Sequence, residues 1–538
     1  MLKGRCDMRS KKPWLAIVFS LVCLSTLGAE LPPIEKIEVG PHGGFLVNGQ
    51  PFFPLMSWLQ DVQTYPRLGE LGFNVFMGNW RNQPPPDKMA EHGRKAGGYV
   101  LPHFVGTGIG NPYVFGWFDR DEPDLTSNVW STAVKPGAGL VVNRGAPLQS
   151  LIDGNLRKAA VLDPMADASV TIEMPAPVTV RQLAVHLPAR RGDPPGNPAP
   201  AELLFLGDGR ELLRTPVADR DGRQIFDLPA PATFRALEVR VVAVHAGSGK
   251  WGTIQEIEAL DADGKNALFI APRGEPHLMP EGSLAAYRRM KEADPTRPVF
   301  LTLTCRFLPR YEGWHKAPVE FMRPLYPQWA AACDALGTDI YPIYGFNKPE
   351  WLLDNIEALQ AMRKLAGPGK PLYIWIETCN GGAQQGSYRV EPKHTRAEVW
   401  MSIIAGARAI GYFTHAFKPS TVEFAVEPAM QTELRRLNRQ ITRLTPEILA
   451  APADPAPAIE FADGIRGHLM ATRPGRGLFI VAQNLDLDGR AALATIRMPG
   501  LAAGTRIEVV DEDRAITAGD GVFQDTFEAL REHIYRIP

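Results

Sequence analysis

Short apolar runs decide the fold, and residues 372–378 show one of them: Leu372-Tyr373-Ile374-Trp375-Ile376-Glu377-Thr378. This run is apolar without alternation, which is typical of a parallel strand buried on both faces. It ends at a carboxylate. Similar runs recur along the chain with longer mixed segments between them. Together they make eight, at residues 53–58, 73–77, 98–104, 114–118, 299–303, 339–343, 372–376 and 411–414.

The segments between these runs contain helical patterns. After the eighth run, Leu434, Leu437, Ile441 and Leu444 follow at steps of three and four residues, the spacing of one helix face. Eight strand and helix repeats favour a closed barrel over an open doubly wound sheet, and no Gly-x-Gly-x-x-Gly motif follows any run. The sequence predicts an α/β fold, a (β/α)₈ TIM barrel.

The fourth and fifth runs are much farther apart than the others. Residues 126–272 lie between them and carry short alternating runs with Pro- and Gly-rich turns, at 168–174, 180–187, 203–206, 236–244 and 254–260. This pattern is typical of a β-sandwich. We therefore expect the barrel in two parts, residues 30–125 and 273–449, with an all-β domain inserted after its fourth strand.

The chain changes character again after residue 449. Residues 450–457 are rich in Ala and Pro, as linkers are, and strand-like runs follow at 468–471, 478–483, 492–498 and 506–510. Residues 450–538 are expected to form a linker and a small C-terminal β-sandwich.

The N-terminus has the composition of an export signal. Basic residues at positions 3–12 precede an apolar stretch, residues 14–27, that ends at the small residues Gly28 and Ala29. The alternative is a membrane anchor, but the stretch is shorter than the ~20 residues that span a bilayer. We expect residues 1–29 to be cleaved, leaving a secreted or periplasmic protein with no membrane span.

Charge and cysteine content exclude several classes of partner and cofactor. Lys and Arg number 58 against 59 Asp and Glu, so the chain carries no basic footprint for nucleic acid. After loss of the leader Cys305, Cys333 and Cys379 remain, an odd number without regular spacing. No CxxC or HExxH motif occurs, and we expect neither a metal nor another cofactor.

Two runs end at glutamates that are candidates for acid and base chemistry. Retaining hydrolysis of a glycoside needs two carboxylates about 5–5.5 Å apart, and on a barrel both belong at the carboxyl ends of strands. The fourth run leads into Asp121-Glu122-Pro123, where the proline ends the strand just after Glu122, and the seventh ends at Glu377. Strands four and seven lie on opposite sides of a barrel, so these two side chains can reach toward each other across its mouth.

These residues resemble the clan A glycoside hydrolases over residues 34–125 and 273–448. In that family the acid/base glutamate ends strand four, usually as Asn-Glu, and the nucleophile glutamate ends strand seven. The resemblance implies that Glu122 is the acid/base and Glu377 the nucleophile. Asp121 departs from the family pattern, because an aspartate only accepts where an asparagine also donates, and its charge would raise the pKa of Glu122.

The insert carries a second resemblance. It is similar to the discoidin-like (coagulation factor type C) sandwich, a jelly-roll family with many sugar-binding modules, at residues 151–155, 207–210, 235–240 and 251–257. This resemblance implies a carbohydrate-binding role for residues 126–272.

Other residues near strand ends are candidates for substrate contact. Tyr341 is a hydroxyl donor to the nucleophile, as in clan A, or else a barrel-rim aromatic. His103 and His415 are expected to contact sugar hydroxyls or to be satisfied rim histidines. Tryptophan rings stack on sugar faces or pack in the core; the tryptophans considered are Trp58, Trp80, Trp117 and Trp375, with Trp58 and Trp117 as the better candidates.

The leading hypothesis is an exported retaining glycoside hydrolase that cleaves a β-linked oligo- or polysaccharide by double displacement. One alternative is a non-catalytic glycan-binding protein built on a degenerate barrel. Another is a transglycosylase, in which the same carboxylates serve a sugar acceptor. The sequence leaves the sugar, its linkage and the oligomeric state open.

Overall fold

A computed structural model describes residues 31–78, 84–141, 145–189, 196–382 and 386–538. The expected leader, residues 1–29, and Trp80 lie outside the described residues. The chain divides into two compact units. One contains the chain up to Leu125, Leu278–Gly313 and Met322–Pro538; the other contains Thr126–His277 and Trp314–Phe321.

The first unit is built around a parallel sheet of eight strands, and the whole chain is a mixed α/β protein. In chain order the strands are β1 (Leu55–Trp58), β2 (Val75–Met77), β3 (Tyr99–Leu101), β4 (Trp117–Asp121), β5 (Val299–Thr304), β6 (Ala335–Asp339), β7 (Leu372–Glu377) and β8 (Ala409–Phe413). Their order in the sheet is β3-β2-β1-β8-β7-β6-β5-β4. Parallel bridges Val100↔Val114 and His103↔Phe118 join the two edges, so the sheet is a nearly closed barrel.

Helices connect most of these strands. They are α1 (Tyr65–Glu70), α2 (Pro86–Lys95), α3 (Pro280–Ala293), α4 (Tyr326–Ala330), α5 (Asp354–Ala366), α6 (Pro392–Ile404) and α7 (Pro428–Ile448). A short helix, Val319–Met322, precedes α4. The connection between β3 and β4, residues 102–116, contains no helix, so seven of the expected eight strand and helix repeats are complete.

Glycines make room for the large side chains inside the sheet. Tyr373 and Trp375 of β7 both contact Thr302 of β5, whose Oγ1 lies 2.9 Å from Tyr373 Oη and accepts from Trp375 Nε1 at 3.2 Å. A Cβ on Gly337 would lie 2.1 Å from the Tyr373 ring, and one on Gly411 would lie 2.2 Å from the Trp375 ring. The barrel interior is therefore a packed core of side chains, as in TIM barrels.

Two strands differ in position from the sequence prediction. The fourth was expected at 114–118 and covers Trp117–Asp121; the sixth was expected at 339–343 and covers Ala335–Asp339. The sixth was missed because Gly337 and Thr338 interrupt its apolar character, although the neighbouring Tyr373 ring requires that glycine. As a result Asp121 ends β4 and Asp339 ends β6.

The second unit is an antiparallel β structure with its own core. Its strands are Thr126–Val129, Ala133–Pro136, Ala160–Leu162, Ser169–Leu187, Ala199–Gly207, Arg210–Pro216, Gly222–His245, Gly252–Ile254, Glu256–Leu260 and Arg273–Pro276. Leu183, Phe205, Leu237 and Ile257 are fully buried in one apolar cluster of this unit.

The C-terminal part of the first unit consists of two antiparallel sheets that share a core. The six-stranded sheet comprises Ala451–Pro452, Gly467–Arg473, Leu478–Asn484, Glu532–Ile537, Arg506–Val509 and Arg514–Thr517. The three-stranded sheet comprises Ala458–Phe461, Ala492–Arg497 and Val522–Phe527. Ala451 and Pro452, expected in a linker, pair with the strand that ends at Arg473. Three further short strands, Ile37–Val39, Phe45–Val47 and Gln50–Phe52, precede the barrel.

Candidate active site at the carboxyl ends of the barrel strands

Glu122 stands at the point where β4 ends. Its φ is +46°, a left-handed conformation that is uncommon outside glycine and costs of order 1–3 kcal/mol. The backbone N–H of Glu122 donates to Thr302 O at 3.1 Å, and Pro123 follows directly. Such backbone conformations concentrate at functional sites. Asp121 pairs with Thr302 across the sheet and thus shares the inward face of that residue.

Asp339 brings a third carboxyl group to this position from the end of β6. Its side chain is hydrogen-bonded to that of Glu122. Burial raises the pKa of Asp339 well above its usual range, and the charges of Glu122 and Asp121 raise it further. The pKa of Asp121 is also raised, first by burial and then by Glu122 and Asp124. Because two carboxyl groups share a hydrogen bond only when one carries a proton, this cluster retains a proton.

Asp124 anchors the chain that leaves β4. It is fully buried and accepts from the backbone N–H of Thr304 at 2.9 Å, from Thr304 Oγ1 at 2.5 Å and from Tyr326 Oη at 3.3 Å. Burial outweighs these hydrogen bonds and raises the pKa of Asp124 to about 7. Asp124 therefore fixes the Asp121-Glu122 segment to the end of β5.

Tyr341 adds a hydroxyl group to the carboxyl cluster. It follows β6 in the chain, and its pKa is raised by burial and then by Asp339, Asp121 and Glu122. The ring of Tyr344 lies 6.0 Å from that of Tyr341, and the Tyr344 hydroxyl is buried without a hydrogen-bond partner among the described residues. Part of the surface of Asp121, Glu122, Asp339 and Tyr341 is exposed. We call these four residues the carboxyl cluster.

Glu377, at the end of β7, has different surroundings. It is 0% exposed, and its carboxylate accepts from the backbone N–H of Ile343 at 3.1 Å and of Tyr344 at 2.6 Å. Burial outweighs these bonds and raises the pKa of Glu377 to about 8. Its contacts thus fasten the loop that follows β6.

A second buried glutamate accompanies Glu377. Glu398 of α6 is 0% exposed and accepts from Asn355 Nδ2 at 3.1 Å. Its pKa is raised well above its usual range by burial and then by the charge of Glu377. Glu398 was not among the residues predicted from the sequence, although a carboxylate between Ala397 and Val399 in a buried helix is itself an unusual pattern.

The structure therefore brings Glu122 together with Asp121, Asp339 and Tyr341, and places Glu377 beside Glu398. Asp339 was overlooked because the strand before it was misplaced. The separation of Glu122 and Glu377 that retention requires stays a prediction.

Two of the candidate tryptophans lie inside the barrel. Trp58 and Trp375 pack edge to face with ring centroids 4.8 Å apart, and Trp58 also packs against Phe118 at 5.6 Å. Asp339 is the register partner of Trp375. These rings therefore adjoin the carboxyl cluster, although they are almost completely buried.

Trp117 occupies a core position. It is fully buried, and its Nε1 donates at 3.0 Å to Asp294, which directly follows α3. Its ring packs against Phe104 at 5.3 Å. The expectation of sugar stacking does not fit this position, because Trp117 points toward helix α3 whereas Asp121 takes the inward face. The alternative of core packing describes it.

The two histidines differ from each other. His103 is partly exposed, with its ring 4.7 Å from that of Phe118. His415 is 0% exposed, and its Nε2 lies 3.2 Å from Leu59 O. Burial lowers the pKa of His415 to about 4, so its ring is neutral at pH 7. His103 is thus the better placed of the two for a ligand.

Within the described ranges, no group of three or more His, Cys, Asp or Glu side chains is arranged to hold a metal ion. No helix in the described part of the chain is long and apolar enough to cross a membrane.

Comparison with known proteins gives similarities among solved structures. No protein-family model and no curated protein matches the chain. The family 32 carbohydrate-binding module of C. perfringens NanJ, in complex with galactose, is similar at 13% identity and a TM-score of 0.19, over 24% of this chain and 90% of that one. The corresponding module of Streptococcus pneumoniae EndoD gives 15% identity and a TM-score of 0.21, over 25% and 99%. An Anoxybacillus alpha-amylase gives 13% and 0.31, over 48% and 56%.

Proposed function

We propose that this protein is a glycoside hydrolase whose general acid and base is Glu122. The observation that carries the proposal is the hydrogen-bonded pair of Glu122 and Asp339 at the carboxyl ends of β4 and β6. Active sites of barrel enzymes lie at this end. Glycoside cleavage needs a carboxyl group that protonates the departing oxygen, and burial raises the pKa of Asp339, the hydrogen-bond partner of Glu122, well above its usual range.

The neighbours of Glu122 suit both halves of such a reaction. Asp339 and Asp121 disfavour a further negative charge nearby, which keeps a proton in the cluster before the bond breaks. After proton transfer the same repulsion makes the ionised pair a base toward an incoming water molecule. Tyr341 supplies a hydroxyl group that stays protonated and can donate to the substrate.

The second catalytic group distinguishes two versions of this proposal. In the first version, which the resemblance to clan A glycoside hydrolases implies, Glu377 attacks the anomeric carbon. The reaction is then a double displacement with retention. Glu377 would then have to leave the backbone N–H groups of Ile343 and Tyr344 and become exposed. In the other version Glu377 keeps these contacts and the nucleophile comes from elsewhere.

We further propose that residues 126–272 bind glycan, that residues 1–29 direct export, and that the reaction uses no metal or other cofactor. A non-catalytic glycan-binding protein is the second candidate function, favoured by the complete burial of Glu377. A transglycosylase would use the same carboxyl cluster with a sugar acceptor.

The test is a screen of aryl β-glycosides and of plant and algal polysaccharides with the leaderless protein, repeated with added sugar acceptors. Glu122→Gln should lower kcat/KM by about 10²–10⁴-fold, the usual contribution of a general acid. Glu508→Gln, at a half-exposed site in the C-terminal sandwich, is the matched control and should keep full activity. Binding of glycan without hydrolysis by the wild type would favour the non-catalytic alternative, and transfer products would favour the transglycosylase.

A further inference from the structure

The carboxyl cluster lacks a well placed nucleophile for double displacement. Glu377 has no exposed surface, and backbone N–H groups bind its carboxylate. Asp339 is hydrogen-bonded directly to Glu122, whereas carboxyl groups that flank a scissile bond in a retaining enzyme stand about 5–5.5 Å apart. No sugar ring fits between two groups that touch.

The remaining carboxyl group of the cluster is Asp121, which adjoins Glu122 in the chain and faces the barrel interior with Thr302. Two adjacent carboxyl groups at one strand end suit two neighbouring positions of one sugar, its leaving oxygen and its C2 substituent. An aspartate accepts hydrogen bonds and cannot donate when ionised, so it selects a donor at C2. An amide N–H is such a donor. A hydroxyl group donates as well, but unlike the amide N–H it also accepts.

We propose that the substrate is a β-linked 2-acetamido-2-deoxy sugar and that its acetamido group, oriented by Asp121, supplies the nucleophile. This inference rests on the proposed function and specifies its substrate class. Substrate-assisted hydrolysis of this kind needs one acid/base carboxyl group and no enzyme nucleophile. It accounts for a site in which Glu122 is accessible while Glu377 is not.

A buried phenol beside the carboxyl cluster suits a ligand that carries a hydrogen-bond acceptor. The Tyr344 hydroxyl is buried and has no hydrogen-bond partner among the described residues, and the residue as a whole is only 6% exposed. It adjoins Tyr341, whose hydroxyl lies among the three carboxyl groups. These two phenols are hydrogen-bond donors, and the carbonyl oxygen of an acetamido group is an acceptor with no proton of its own.

The proposed reaction needs no reactant other than the glycoside and water. The acetamido carbonyl oxygen forms a bond to the anomeric carbon as the bond to the leaving oxygen breaks, and that oxygen takes the proton of Glu122. The product is an oxazolinium ion whose N–H is hydrogen-bonded to Asp121. Water then adds to the anomeric carbon and gives a proton to Glu122, and the bond to the carbonyl oxygen breaks. The configuration at the anomeric carbon is retained.

The first experiment compares substrates of the leaderless full-length protein. The 4-nitrophenyl 2-acetamido-2-deoxy-β-D-glucoside and -galactoside should be cleaved with kcat/KM at least about 10²-fold higher than their 2-hydroxy counterparts. Replacing the acetyl group by mono-, di- and trifluoroacetyl should lower kcat stepwise, since fluorine weakens the carbonyl nucleophile. Cleavage of the 2-hydroxy glycosides alone would overturn this inference and leave the proposed function standing. Cleavage of neither series would overturn both.

The second experiment tests Asp121. In Asp121→Asn, kcat for the acetamido substrates should fall by about 10²–10⁴-fold, with a weaker dependence on fluorination of the acyl group. Asp488→Asn, at a carboxylate with 82% of its side chain exposed, is the matched control. Binding of a sugar-fused thiazoline, which mimics the oxazoline, should weaken in Asp121→Asn, and calorimetry reads this without turnover. A 2-fluoro glycoside that labels Asp121 or Glu377 covalently would overturn the inference.

Discussion

Glu122 illustrates how one residue combines backbone conformation with chemistry. Its left-handed φ of +46° lies directly after a strand, and the hydrogen bond between the Glu122 and Asp339 side chains needs a proton on one of the two. The sequence predicted the position of Glu122 because Pro123 marks the strand end. It did not predict the partner, since Asp339 is distant in the chain and its strand carries no continuous apolar run.

Azide separates the roles of the two glutamates that the sequence paired. In Glu122→Gln, azide needs no general base, so it should restore turnover of a dinitrophenyl glycoside and give the β-glycosyl azide. In Glu377→Gly we expect no rescue, because Glu377 is buried against the backbone of Ile343 and Tyr344. Product stereochemistry by NMR is the measurement. An α-glycosyl azide from Glu377→Gly would show instead that Glu377 is the nucleophile of a double displacement.

The buried carboxyl groups also predict how stability changes with pH. The pKa is about 7 for Asp124 and about 8 for Glu377, both above their ordinary values. The folded state therefore binds more protons than the unfolded state over this range, so the free energy of unfolding falls as pH rises from about 4 to 8. The stabilisation is complete below the unfolded pKa values, near 4.

Denaturant unfolding at pH 5 and pH 8 measures this effect. The loss of stability between the two pH values should be smaller in Asp124→Asn than in the wild type, because that variant has one fewer group to ionise. An equal loss in both proteins would contradict the assignment of Asp124 as a contributor.

At the scale of elements, the sequence located most barrel strands to within about two residues, because buried parallel strands are apolar throughout. The runs at 299–303 and 372–376 correspond to β5 (Val299–Thr304) and β7 (Leu372–Glu377). The run at 339–343 missed β6, where small residues face a large ring of the neighbouring strand. Such complementarity between strands is a property of the packed barrel and is not visible in either strand alone.

Gly411 offers a test of this packing. In Gly411→Ala the new Cβ would lie 2.2 Å from the Trp375 ring, so that ring or its strand must shift. Overpacking of this kind costs about 1–3 kcal/mol of unfolding free energy. Gly313→Ala is the matched control, since its Cβ would meet no atom within 4 Å. Equal stability of the two variants in denaturant unfolding would show that the interior around Trp375 is loosely packed.

At the scale of the whole molecule, the long interval between two strand-like runs predicts an interruption of the barrel, and residues 126–277 belong to the second compact unit. The all-β character of that interval followed from its alternating pattern. The partners of Glu377 were not predictable, because they are backbone N–H groups of a loop whose course depends on the finished barrel. Surface loops on this fold vary freely, so sequence patterns constrain them least.

Deleting residues 126–277 tests whether the barrel is complete without the insert. The N–H of Leu278 donates to Pro123 O at 3.0 Å, so the two ends of the first unit lie close together, and a short Gly-Ser linker can join them. The insert also has a core of its own. We expect a soluble barrel that unfolds cooperatively and cleaves small aryl glycosides with kcat/KM within about threefold of the full-length protein. Its affinity for polymer should fall, because the deleted residues include the domain that we propose binds glycan. Pull-down on insoluble polysaccharide and kinetics on the aryl glycoside measure the two effects separately. Loss of soluble expression, or loss of aryl glycoside cleavage in a folded product, would show that the insert completes the barrel or its site.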